Sequence, residues 1–182
     1  MTVDKPLEEG FSSDGYIKDQ DCFSSVRYRT IPASENGCGF IAAFNMRRAL
    51  GHDVAWDDVR AELDEMHRLR IPGPTLMKFM RKYLDLHVPG YKEVPGKEEA
   101  VAAAEKSLTG IFRYNEGHVP HFVSYIRLAD GLFRFFNVDE GLEDCVMTME
   151  QFRDEHLLRG TVTVFCAGEA DGEGQSSPER EN

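Results

Sequence analysis

The segment Asn36-Gly37-Cys38-Gly39-Phe40 sets a cysteine between two glycines, directly ahead of a long apolar run. A thiol in the first turn of a helix sees the positive end of the macrodipole and nearby unpaired N–H groups. Both favour the thiolate, the form that attacks a carbonyl carbon. Flanking glycines would let a substrate backbone come close, and the N–H of Cys38 could serve as one donor to a developing oxyanion. Downstream, His121 opens the run Phe122-Val123-Ser124-Tyr125-Ile126 after the turn Gly117-His118-Val119-Pro120. An imidazole at a strand entrance is held rigidly against a cleft, as a general base for a thiol requires. Past Asp130-Gly131 the chain returns and ends in Asn137-Val138-Asp139, so a side-chain oxygen of Asn137 or of Asp139 can lie beside His121 and fix its tautomer. Each residue also has an ordinary reading: a packed cysteine, a surface histidine, a turn-forming Asn or Asp.

These groups work only if the chain between them holds them together. The run 38–50 is apolar on nearly every side in its first half and is ended by Gly51, which predicts a helix through the core rather than over it. Arg47 and Arg48 suit its negative pole. Two amphipathic helices follow, one with Trp56, Val59, Leu63 and Met66 on a face and one with Leu76, Phe79, Met80 and Tyr83, separated by Pro72-Gly73-Pro74. A third, rich in alanine, spans about 97–106. From Leu108 onward the pattern changes to strands over 110–114, 119–128, 132–138 and 161–165, with a hairpin at Asp130-Gly131 and a short helix over 149–156 before the last strand. A further strand is predicted over 25–31, stopped by Pro32. Helices first and antiparallel strands second imply an α+β domain whose two halves face each other.

A chain of 182 residues with 41% apolar positions supports one core and not two. Its formal charge of -11 is concentrated at the ends: 1–22 holds six acids against two bases and 167–182 holds five against one, leaving about -3 between them. The expected organisation is a flexible segment over 1–22, in which Phe11, Tyr16 and Ile17 could dock as it approaches the core, a domain over 23–166 and a disordered acidic tail over 167–182. Such a surface repels phosphate backbones and carries no dense basic stripe, which argues against nucleic-acid binding. No apolar run approaches the length of a membrane span and the first residues lack the form of a secretory signal, so the expectation is a soluble, cytoplasmic chain with no membrane partner. Cys22, Cys38, Cys145 and Cys166 stand far apart, which suggests neither a zinc knuckle nor a disulfide framework. Cys166, at the end of an apolar run, reads as a small buried hydrophobe.

A cysteine opening a central helix, a His-Phe-Val strand 83 residues later and a hairpin return carrying Asn or Asp resemble the papain-like cysteine peptidases. The similarity is closest to the compact bacterial branch that includes the double-glycine leader peptidases of bacteriocin export, and covers about 24–166. The resemblance implies a papain-like fold, a peptide or protein substrate and no cofactor. It makes Cys38 the nucleophile, His121 its base and Asn137 the orienting group, with Asp139 as the alternative. The resembled families also place a glutamine about six residues before the cysteine to complete the oxyanion hole. Pro32 stands there in this chain, and Asn36 is the candidate substitute.

Three other readings bear on the same residues. His118 and His121 form a His-x-x-His pair, but it straddles a proline and has no third ligand evident, so no metal is expected. The missing glutamine suits a catalytically weak or inactive domain whose cleft binds a peptide or partner protein. Acyl transfer by the same thiolate differs from hydrolysis only in the acceptor.

Overall fold

The helix predicted to open at Cys38 is the axis of the structure. In the computed structural model, which describes residues 5–67, 73–116, 119–138, 145–158 and 160–169, a one-turn helix Ala33–Asn36 (α1) leads through Gly37 into the helix Cys38–Ala49 (α2). Phe40, Ile41, Ala42, Ala43, Phe44 and Met46 are all buried, as an unbroken apolar first half requires. Each large side chain among them stabilises the fold by about 1.5–3 kcal/mol. Arg47 and Arg48 occupy the last turn of α2.

The second half of the chain forms an antiparallel sheet of six strands: Lys92–Pro95 (β3), Ser107–Glu116 (β4), Val119–Arg127 (β5), Leu132–Phe136 (β6), Cys145–Thr148 (β7) and Thr163–Glu169 (β8). Their spatial order is β3-β8-β4-β5-β6-β7. Side chains alternate across this sheet and divide the core in two. Phe122, Ile111 and Phe165 join α2 and the helices Trp56–Met66 (α3) and Met77–His87 (α4) in one cluster. Val123, Tyr125, Phe112 and Phe135 join the helices Lys97–Ala104 (α5) and Met149–Glu155 (α6) in the other. The fold is thus α+β, with helices on both faces of one sheet. No helix among the described residues is long and apolar enough to cross a membrane.

Most predicted elements stand close to their expected places, and three differ. The strand expected over 25–31 is a tight hairpin of two short strands, Arg27–Tyr28 (β1) and Ile31–Pro32 (β2). Arg29 and Thr30 turn it with φ of 49° and 81°. Arg29 is held there by Asp64 Oδ1 on its N–H at 3.0 Å and by the carbonyls of Gly73 and Pro74 on its guanidinium. Residues 5–22, expected to be flexible, are docked: Ile17 and Cys22 are buried, and the Ile17 main chain pairs with the Asn45 amide at 2.9 and 2.8 Å. The buried Asn45 amide finds its partners here and adds them to the packing of Leu7, Phe11 and Ile17 on the core. The start of the expected tail belongs to the sheet, where Ala167 and Glu169 pair with Thr109 and Ser107. Residues 170–182 lie outside the described ones. The sequence reading did not anticipate α1, β3 or β7.

Candidate active site

Two side-chain links fix the direction of α2 against the sheet. In the middle, Asn45 Nδ2 donates to Ser124 Oγ of β5 at 3.1 Å. At the far end, Arg48 Nη2 reaches the Asp14 carbonyl at 2.8 Å while Arg134 of β6, paired with Ile126, binds the Asp14 carboxylate at 2.7 Å. The helix C-terminus therefore lies toward the C-terminal end of β5, and its opening turn toward the N-terminal end. Cys38 is seven residues before Asn45, about 10 Å along a helix. His121 is three residues before Ser124, about 10 Å along a strand. The fold brings Cys38 and His121 to the same end of the helix and strand that carry them.

His121 is not at the edge of its strand, as expected, but within a projecting hairpin. Pairing of β8 with β4 stops at Arg113 and pairing of β6 with β5 stops at Ser124. The pair Tyr114↔His121 is the first in the β4–β5 ladder clear of both neighbours. Alternation places His121 on the face of Val123 and Tyr125, opposite Phe122 and Ser124, and its ring meets Tyr114 edge-on with centroids 5.8 Å apart. Its Nε2 lies 2.8 Å from the main-chain oxygen of Asn137. A carbonyl only accepts, so Nε2 carries a proton and Nδ1 is the basic nitrogen of the neutral ring.

Asn137 thus stands beside His121, though not in the way expected of it. The orienting contact comes from its carbonyl, while its side chain turns to Gln20: Oδ1 accepts from Gln20 N at 3.0 Å and Nδ2 donates to Gln20 Oε1 at 3.2 Å. The residue adopts φ 63°, a conformation that Asn tolerates better than most residues. Its rival Asp139 and the second histidine of the pair, His118, lie outside the described residues. Among the described ones no group of three or more His, Cys, Asp or Glu is arranged to hold a metal.

Gln20 itself opens a short 3-10 helix, Gln20–Phe23, capped by Asp19, whose carboxylate accepts from Asp21 N at 2.9 Å. Its amide also donates to the carbonyl of Ser34, in α1, at 2.7 Å. A continuous chain of hydrogen bonds therefore runs from the turn before Cys38 through Gln20 and Asn137 to the imidazole. Sequence reasoning missed Gln20, which stands 117 residues from Asn137 in a segment read as flexible.

Asn36 does not supply the expected oxyanion donor. Its amide nitrogen donates to the carbonyls of Tyr28 at 3.0 Å and Gly73 at 3.1 Å, so both hydrogens are committed inside the fold. The flanking glycines are also explained by internal packing rather than by substrate approach. A Cβ on Gly39 would lie 2.1 Å from Thr75 Oγ1, and one on Gly37 2.5 Å from the Ala33 carbonyl. Thr75 fills the place beside Gly39 while sharing a 2.8 Å hydrogen bond with the Tyr28 hydroxyl, whose pKa burial raises well above the ordinary tyrosine value. What remains at Cys38 is the first turn of α2. It has no side-chain N-cap, and Ile41 N bonds Gly37 O at 3.1 Å.

All four cysteines are buried, Cys38 at 4% exposure and Cys166 at the same value, so burial does not single out one thiol. The surroundings differ instead. Desolvation and the carboxylate of Asp19 push the Cys22 thiol up to about 11, and burial raises that of Cys166, as befits the packed hydrophobe expected there. No protein-family model matches the chain, and no curated protein is similar enough in sequence to place it in a family.

Proposed function

We propose that this chain is a thiol-dependent amide hydrolase of papain-like build that cleaves a peptide substrate. One observation carries the reading: a cysteine in the first turn of a buried helix and a histidine with an anchored Nε2 stand at the same end of the packed α2–β5 pair. Because His121 lies on the sheet face turned from α2, the reading requires its ring to reach Cys38 around the edge of β5, beyond the last β5–β6 pair at Ser124. In this scheme Nδ1 of His121 takes the proton of the Cys38 thiol and the sulfur adds to the substrate carbonyl. The oxyanion is received by first-turn N–H groups of α2. The imidazolium then protonates the leaving amine, and water, deprotonated by the same ring, releases the acyl group from sulfur. Asn137 contributes by holding the ring in the tautomer that this sequence of transfers requires.

A second reading, a cleft that binds a peptide without turning it over, is favoured by Pro32 at the place of the missing glutamine and by the committed amide of Asn36. Loss of one oxyanion donor costs about 2.7–4 kcal/mol of transition-state stabilisation. A mixture of fluorogenic peptides separates the two readings. Turnover that disappears in Cys38→Ala and in His121→Gln supports the hydrolase. Saturable binding with no turnover above background in the unaltered chain supports the binder.

A further inference from the structure

Gln20 joins the segment that leads to Cys38 to the residue that anchors His121. Its side chain donates to Ser34 O at 2.7 Å and accepts from Asn137 Nδ2 at 3.2 Å, and its N–H donates to Asn137 Oδ1 at 3.0 Å. The Asn137 N–H in turn donates to the Lys18 carbonyl at 3.2 Å. Three of these four bonds tie Asn137 to the segment 18–20, and together they hold a non-glycine residue at φ 63°. In that conformation the Asn137 carbonyl points at His121 Nε2. Asn is among the few non-glycine residues that visit this region readily, and these bonds select it over the extended alternatives.

We propose that Gln20 is a positioning residue: by clamping Asn137 it sets the tautomer and direction of the His121 ring, and through Ser34 it sets that ring relative to the turn that presents Cys38. The inference rests on the hydrolase reading for its consequence in rate, but its geometric content does not depend on it. Segment 5–23 then acts as a strap, anchored on α2 by Asn45 and just past β6 by Asn137.

The test compares Gln20→Met, which keeps the volume and the main-chain N–H but loses both side-chain bonds, with Gln20→Glu, which keeps an acceptor facing Asn137 Nδ2. Nitrogen-15 NMR of histidine-labelled protein, with His121 assigned by His121→Gln, reads the tautomer without any substrate. The unaltered chain is expected to show His121 protonated at Nε2 alone in its neutral form. Gln20→Met is expected to give a mixture of tautomers and Gln20→Glu a partial return to one. Where peptide turnover is measured, Gln20→Met should lower kcat about tenfold or more and leave KM within about twofold. A single Nε2–H tautomer in Gln20→Met would overturn the inference, as would a Gln20→Glu variant as scrambled as Gln20→Met at unchanged Tm. Absence of turnover in every chain would count against the hydrolase alone, and the tautomer would still decide the role of Gln20.

Discussion

His121 is held by the main chain of Asn137: its Nε2 lies 2.8 Å from the Asn137 carbonyl oxygen, while the Asn137 amide is turned to Gln20. The side chain matters by shaping the backbone, and the backbone makes the contact. A residue held at φ 63° presents its carbonyl differently from one in a strand, which is why a short polar residue follows the last paired position of β6.

This relationship ranks the variants at that position. Asn137→Gly keeps access to positive φ and so keeps the carbonyl contact part of the time, whereas Asn137→Ala adds strain of about 1–2 kcal/mol there. We expect kcat/KM for a cleaved peptide to fall more than tenfold, over ~1.4 kcal/mol, in Asn137→Ala and by a smaller factor in Asn137→Gly. Equal losses in the two variants would return the orienting role to the side-chain amide. A larger loss in Asp139→Ala than in either would transfer it to Asp139.

Gly39→Ala is expected to be destabilising whatever the chemistry, because the added methyl would lie 2.1 Å from Thr75 Oγ1 and 2.4 Å from Thr75 Cβ. Both residues are buried, so relief requires α2 and the Thr75 segment to part. Overpacking of this kind costs about 1–3 kcal/mol. Urea unfolding should show a lower midpoint, and an unchanged one would mean that the two segments do not touch there.

His67 makes stability depend on pH. The ring is 1% exposed, its Nδ1 is 2.6 Å from the Leu63 carbonyl and its Nε2 accepts from Leu76 N at 3.3 Å, an arrangement that fits the neutral form. Burial holds its pKa below the usual histidine value, against the opposing pull of the Leu63 carbonyl. Between the folded value and the unfolded one of about 6.5 the unfolded chain binds more protons, so stability is complete above about pH 6.5 and falls as pH drops below it. His87, also lowered by burial, acts in the same direction. Tm measured from about pH 7.5 down to about pH 5 should fall less in His67→Gln, relative to its own starting value, than in the unaltered chain. An identical fall would show that His67 does not titrate differently on unfolding.

The parts of this arrangement that depend on local pattern were legible in the sequence. The helix opening at Cys38, the amphipathic faces of α3 and α4, and the β5–β6 hairpin at Asp130-Gly131 all follow from periodicity and turn chemistry. Two errors have one physical cause. The polar segment before Cys22 reads as flexible apart from Phe11, Tyr16 and Ile17, yet it is fixed both by those side chains and by polar bonds to Asn45 and Asn137, residues far along the chain. Composition does not register such long-range pairing. Likewise the glycines beside Cys38 suggest open space, whereas the fold fills that space with Thr75 and the Ala33 carbonyl. The edge strands β3 and β7, four residues each, are too short for a strong alternating signal.

The central claim is that Cys38 is an activated nucleophile served by His121. It is tested most directly by exposing the folded chain to a peptide-like electrophile at neutral pH, followed by mass mapping of the modified cysteines. We expect modification at Cys38 well ahead of Cys22 and Cys166, whose thiols their surroundings hold protonated, and a labelling rate at least about tenfold lower in His121→Gln. Modification spread evenly over the four cysteines, or a Cys38 rate indifferent to His121→Gln, would contradict it.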